Sequence, residues 1–246
     1  MELYELSAIL WAFGVASAAV LSLGGIVSNR LDTLTHFAPL YLVGGLVAIA
    51  LQLVRGKQRG RWGRDRADSA APRLSHQTLA PTSFDIMTVH LSRIGPRDSG
   101  AWPSPDTFGR HFGAWASFGD TATGYTVVGA YALWPAPAGR QQIQTAFLAS
   151  RLQAFNRDNL ILAGDFNSTP WSFSLRRQDA LFGLTRRSHA LFSWSVQPYS
   201  RYKFWTPVPL MPIDHVYAGA AWKTVSVTTG PKLGSDHLPI IAVLTR

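Results

Sequence analysis

Two uncharged stretches open the chain. The first, SAILWAFGVASAAVLSLGGIVS from Ser7 to Ser28, runs 22 residues, and a helix of that length reaches across the hydrocarbon of a bilayer. The second, FAPLYLVGGLVAIALQLV from Phe37 to Val54, is shorter, and a polar turn, NRLDTLTH, separates the two. The pattern predicts a transmembrane helical hairpin over residues 1–54, with spans at about 7–28 and 37–54. A cleaved signal peptide would need a basic start, whereas this chain opens MELYEL. A buried soluble helix pair is the remaining alternative.

Hydropathy changes character after Val54. RGKQRGRWGRDRAD places six basic residues between Arg55 and Arg66, and the positive-inside rule puts such a segment, with both termini, in the cytoplasm. Residues 68–82 are rich in Ser, Ala and Pro without periodicity, so 55–82 reads as a basic juxtamembrane segment followed by a linker. Residues 83–246 then alternate strand and helix signals. GYTVVGAY, NLILAG, IDHVYAG and LPIIAVL are strand-length apolar runs. RQQIQTAFLASRLQAF sets Ile143, Phe147, Leu148, Leu152 and Phe155 on one helical face. In TPWSFSLRRQDALFG, Thr169 suits an N-cap, Pro170 the first turn and Gly183 the exit. The fold class expected is a layered α/β domain.

Composition sharpens this reading. A net charge of +9 on a chain with 23 Lys and Arg favours anionic partners. The absence of cysteine removes disulfides, thiolate nucleophiles and zinc–thiolate sites. Of 14 acidic residues only Glu2 and Glu5 are glutamates, so carboxylate chemistry beyond them falls to aspartates. Three motifs sit at strand ends: GDFN with Asp165 and Asn167, PIDHV with Asp214 and His215, and GSDHLP with Asp236 and His237. Singly, such aspartates serve as caps and turn formers. Together, three carboxylates and a histidine can assemble a cation site with a general base, and oxygen ligands without cysteine suit Mg²⁺ or Mn²⁺.

In these motifs and their order the chain resembles the endonuclease/exonuclease/phosphatase superfamily, over about Tyr125 to Arg246. The resemblance implies a layered β-sandwich flanked by helices and a membrane-anchored, divalent-metal-dependent phosphoesterase. It implies that Asp165 helps activate the attacking water and binds metal, and that Asn167 orients groups at the phosphate. Asp214 would pair with His237 at the scissile phosphate, Asp236 would be a metal ligand, and Tyr131 would occupy a polar position at the end of its strand. His215 reads as a strand residue. The implied substrate is a phosphate ester: nucleic acid, phosphoinositide or a phospholipid headgroup. SRYKFWTP, residues 200–207, mixes cations and aromatics in a loop that would suit any of these or simple packing. Membrane lipid is the other partner, and no protein partner is inferable. An integral protein of a bacterial inner membrane is expected, with charge favouring the cytoplasmic side for the domain and the resemblance the outer side.

The resemblance departs from the family pattern in the first half of the domain. FDIMTVHL, residues 84–91, has His90 where the family has a metal-site asparagine, and no glutamate follows Glu5 to supply the family's metal-binding one. An internal deletion or shifted frame between Arg55 and Asp120 would explain this. So would an intact divergent domain using Asp85, Asp98, Asp106 or Asp120. The alternative function is a catalytically impaired relative that acts as a membrane-bound binding domain.

Overall fold

The computed structural model describes residues 3–57, 96–103, 111–120, 122–136, 138–194 and 209–246. The segments FDIMTVHL and SRYKFWTP, with Asp85 and Asp106, lie outside them. Three helices come first, α1 (Leu3–Leu23), α2 (Asn29–Thr35) and α3 (Ala38–Lys57). The sheet strands are β1 (Asp98–Pro103), β2 (His111–Phe118), β3 (Tyr125–Tyr131), β4 (Leu160–Asp165), β5 (Thr185–Arg186) and β6 (Asp214–Ala218). Helix α4 (Ala138–Leu152) joins β3 to β4, α5 (Phe173–Phe182) follows β4, and β7 (Lys223–Thr229) and β8 (Ile240–Thr245) end the chain.

The six strands form one mixed sheet in the order β1-β2-β3-β4-β6-β5. β3 and β4 are parallel, as a crossover through α4 requires, and the remaining pairs are antiparallel. The core lies between this sheet and helices α4 and α5, where Val128, Leu148, Leu152, Leu160, Leu162, Phe166, Leu175, Phe182 and Tyr217 pack together. Gly164 is required at the strand end: a Cβ there would stand 1.8 Å from the carbonyl oxygen of Ala130 on the neighbouring strand. Of the second layer of the expected sandwich, the described residues contain only the two-stranded sheet β7–β8.

The transmembrane hairpin needs correction. Among the described residues, no helix is long and apolar enough to cross a membrane. The run expected to continue to Ser28 breaks after Leu23 into a 3-10 turn, Gly24–Ile26. The polar stretch NRLDTLTH is no turn but helix α2, and its Asp32, Thr35 and the following His36 are buried. They are buried because α2 docks on the start of α5: the carboxylate of Asp32 accepts the backbone N–H groups of Phe173 and Ser174 at 2.8 and 2.6 Å. The helices of residues 1–54 are thus built onto the α/β domain. Helices α1 and α3 pack on each other, with Gly44 beside Val15 and Trp11, while Leu10, Phe13, Val20, Leu42 and Val43 stay exposed.

Two local expectations also change. Ser172, not Thr169, caps α5, its hydroxyl accepting from the Leu175 N–H, and Gly183 closes the helix in the left-handed region as expected. On α4, Leu148 and Leu152 face the core, but Ile143 is 62% exposed, and Gln141, Gln144 and Thr145 take the buried face. The reason is hydrogen bonding. The Gln141 side-chain amide donates to the carbonyls of Leu133 and Phe166, and the Gln144 amide oxygen accepts from the Leu133 N–H. Both glutamines brace the loops that leave β3 and β4, which apolar residues could not do.

Candidate active site

Strands β3, β4 and β6 are neighbours, and their registers align three residues at one edge. Tyr131 is the parallel partner of Asp165, and Asp165 the antiparallel partner of Asp214. Side chains at paired positions share a face, so a phenol and two carboxylates stand in one row. His237 is delivered from outside the sheet. Trp194 forms bridges with both Met211 and His237, and the Leu238 N–H donates to the Ser193 carbonyl at 2.8 Å.

The result is a compact group. His237 Nδ1 lies 2.8 Å from Asp214 Oδ2, and its Nε2 lies 4.0 Å from Asp165 Oδ2. The Ser193 hydroxyl donates to the same Asp214 oxygen. Asp165, Asp214 and His237 each offer a ligand atom within 4.8 Å of the others, and no other such group of three occurs among the described residues. Asn167, held at φ 46°, braces this group. Its N–H donates to Asp165 Oδ1 at 2.8 Å and its side-chain amide to the Ala132 carbonyl at 2.7 Å. Asn167 thereby fixes the carboxylate next to it.

Asp236 stands apart from the three. Its Oδ2 accepts the indole N–H of Trp194 at 3.1 Å, and it reaches the group through its negative charge. The Trp194 ring packs 6.5 Å from the His237 ring and edge-on against half-exposed Trp134 at 5.7 Å, forming an aromatic wall beside the carboxylates. His215 is a core residue, its Nε2 on the Ser168 carbonyl and its Nδ1 on the Ser188 hydroxyl. Of the aspartates considered in place of the missing glutamate, Asp98 and Asp120 are exposed and lie at the far end of the sheet. Asp98 pairs with Ser117, which pairs with Thr126 near the start of β3, whereas Asp165 faces Tyr131 at its finish. Asp120 is bound up in its own turn, accepting from Ala122 and Thr123. Ser193 and Trp194 carry no motif, and only the long-range bridge reveals their part.

Burial first, and the Asp214 carboxylate second, push the Asp165 carboxyl up to about 8. For His237, burial alone would lower the pKa. The hydrogen bond to Asp214 and the charges of Asp214, Asp165 and Asp236 outweigh it and raise the imidazole to about 9. Without a cation, both groups thus hold their protons to higher pH than they would in water.

Both shifts have the same sign for stability. Each group binds its proton more tightly folded than unfolded, so the stabilisation it contributes is present at low pH and declines as pH rises through about 8 for Asp165 and about 9 for His237. In divalent-free buffer, Tm should therefore fall between pH 6 and 9. Asp165→Asn, which cannot ionise, should raise Tm at pH 8 by about 2–4 °C, the shift that roughly 1 kcal/mol produces in a chain of this size, and should flatten the slope. A differential scanning calorimetry series across this range checks it, and a lower Tm for the variant at pH 8 would contradict the charge assignment.

The sequence matches the Endonuclease/Exonuclease/phosphatase family over residues 44–237. No curated protein sequence matches the chain. Among solved structures, D. rerio TDP2 complexed with single-strand DNA product is similar at 16% identity and a TM-score of 0.45, over 63% of this chain and 70% of that one. The human Nocturnin catalytic domain with bound sulfate is 14% identical with a TM-score of 0.43, over 60% and 58%. Sphingomyelinase C from Streptomyces griseocarneus is 20% identical with a TM-score of 0.38, over 55% and 57%. The chain thus spans less than two thirds of the latter two. With the family's sequence pattern covering most of its length and the GDFN, PIDHV and GSDHLP residues gathered at one sheet edge, the chain belongs to the endonuclease/exonuclease/phosphatase family.

Proposed function

We propose that this chain hydrolyses phosphate esters with the help of a divalent cation, Mg²⁺ or Mn²⁺. The observation that carries the reading is the contact of His237 Nδ1 with Asp214 at 2.8 Å, with a second carboxylate, Asp165, 4.0 Å from its other ring nitrogen. Displacement by water at phosphorus needs a group to take the water's proton and a positive group for the charge that builds on the phosphoryl oxygens. Asp165, braced by Asn167, suits the first role in its ionised form. His237, kept cationic by Asp214, suits the second, and Tyr131 lies beside them to donate to a phosphate oxygen. The water oxygen bonds to phosphorus, its proton passes to Asp165, and the ester oxygen leaves with the bond's electron pair.

The donor set fits a hard cation. Burial first, and the neighbouring Asp214 carboxylate second, make Asp165 hold its proton more tightly, and a divalent ion would take that proton's place. Asp165 would hold the ion, with Asp236 contributing its charge from beside Trp194. When bound, such an ion adds positive charge at the phosphate and acidifies water. A second reading, a catalytically impaired binding domain, is favoured by one observation: no glutamate follows Glu5 to serve as the family's usual ligand. The substrate class stays within phosphate esters of nucleic acid, phosphoinositide or phospholipid.

We also propose a membrane surface as the site of action. Exposed Leu10, Trp11, Phe13, Leu42 and Val43 on α1 and α3, followed in sequence by the basic run from Arg55 to Arg66, match the apolar interior and acidic headgroups of a lipid layer.

Three outcomes follow. His237→Ala should lower kcat on phosphodiesters by on the order of a hundredfold or more, the scale of losing one preorganised group at a developing charge. Equal rates for the wild type and the variant on DNA, phosphoinositide and sphingomyelin at saturating Mg²⁺ would establish the impaired reading instead. In calorimetric titrations, Asp165→Ala should weaken Mn²⁺ binding by at least about tenfold and Asp236→Ala by less; the reverse order would make Asp236 the ligand. Finally, the full chain should sediment with lipid vesicles containing acidic headgroups, and recovery in the supernatant would remove the membrane proposal.

A further inference from the structure

The segment from Phe166 to Ser172 follows Asp165 directly, carries Asn167 and leads into α5. From the α/β side, Gln141 donates to the Phe166 carbonyl and Ser168 hydroxyl, and His215 Nε2 meets the Ser168 carbonyl. The other side is held by α2, more than 130 residues away in sequence. The Thr169 N–H donates to His36 Nδ1 at 3.1 Å, and the Trp171 indole N–H donates to the His36 carbonyl at 3.3 Å. Asp32 binds the Phe173 and Ser174 N–H groups with one carboxylate oxygen each, and is itself held by the Thr35 hydroxyl at 2.8 Å and by Arg177 at 3.7 Å. Two first-turn donors of α5, which no preceding helical carbonyl can serve, are thus satisfied by a carboxylate from a distant helix.

Simple packing does not account for this choice of residues. Asp32 is 2% exposed and His36 3% exposed, and among the described residues the buried His36 Nε2 has no hydrogen-bond partner. An apolar residue would avoid that orphan donor. What His36 adds is a neutral Nδ1 acceptor for Thr169, and burial, only partly opposed by Asp32, keeps the ring neutral by lowering its pKa to about 4. Both residues precede the stretch matched to the family, 44–237.

We infer that Asp32 and His36 are positioning residues for the site, clamping the Thr169–Ser174 backbone so that the adjoining Asp165 and Asn167 are held in place. The inference rests on the phosphoesterase reading for its catalytic consequence, but the clamp itself is testable without turnover. Small displacements of reacting groups cost large factors in rate, so Asp32→Ala and His36→Ala in the full chain should lower kcat on a small aryl phosphodiester about ten- to a hundredfold, with KM changed by less than about threefold. Asp32→Asn, which retains one acceptor oxygen, and His36→Gln should recover part of the loss. Independently, amide hydrogen exchange at Thr169, Phe173 and Ser174 should accelerate by at least about tenfold in Asp32→Ala while amides of β3 stay as in the wild type.

Unchanged exchange in this segment overturns the clamp, whatever the activity. Faster exchange with unchanged kcat overturns its positioning role. Acceleration throughout the chain would mean Asp32→Ala unfolds, and the comparison then rests on Asp32→Asn, for which unchanged local exchange and kcat likewise overturn the inference. If the wild type does not hydrolyse any phosphodiester, the phosphoesterase reading falls, and Mn²⁺ affinity takes the place of kcat: weaker binding in Asp32→Asn supports positioning of Asp165, and equal binding overturns it.

Discussion

Two carboxylates face each other across adjacent strands, and the rest of the site depends on how that repulsion is offset. Like charges at paired antiparallel positions oppose the pairing of β4 with β6, and burial makes the opposition stronger. His237 supplies the offsetting charge, and it does so only because the Trp194 segment bridges both Met211 and His237. Ser193 adds a hydrogen bond to the same carboxylate oxygen of Asp214. Sheet register, the loop that carries His237 and the strand-end brace of Asn167 are therefore parts of one electrostatic arrangement.

The strand ends were legible from sequence because their signal is local: GYTVVGAY ends in Tyr131, NLILAG runs into Asp165 and IDHVYAG opens with Asp214, and each emerges as a strand with that residue at the shared edge. Of the motif residues, Asp165, Asp214 and His237 stand in one group. Long-range polar contacts were not legible. NRLDTLTH has the composition of a turn, and only the unpaired N–H groups at the start of α5 explain why it forms a buried helix. Periodicity placed Ile143 inwards because it cannot register that Gln141 and Gln144 are wanted there as hydrogen-bonding braces. Asp236, a metal ligand by the resemblance, also gives one oxygen to an indole 42 positions away, a contact that no motif carries.

The helical pair illustrates a limit of hydropathy as a guide. Apolar length predicted two membrane spans, but the polar link between them is the part that bonds to the α/β domain, through Asp32, His36 and the Thr33 hydroxyl on the Pro135 carbonyl. Hydropathy scores such a link as exposed because it counts each polar group without its partner. Here the partners are backbone groups of the segment following the GDFN motif, so α2 is buried through its polarity rather than in spite of it.

The Asp32 contact also imposes an order on biosynthesis. Asp32 and the backbone N–H that it binds at Phe173 are 141 positions apart, so at translation rates of about 5–20 residues per second the carboxylate waits roughly 7–30 s for its partner. During that interval α1 and α3 present apolar surface with nothing from the later domain to hold them. The arrival of β4 and α5 docks the early helices, but His237 has still to be made before the two facing carboxylates gain their counter-charge. The sheet edge that carries Asp165 and Asp214 thus matures after the early helices have docked, and a nascent form lacking His237 has neither its hydrogen bond to Asp214 nor its charge.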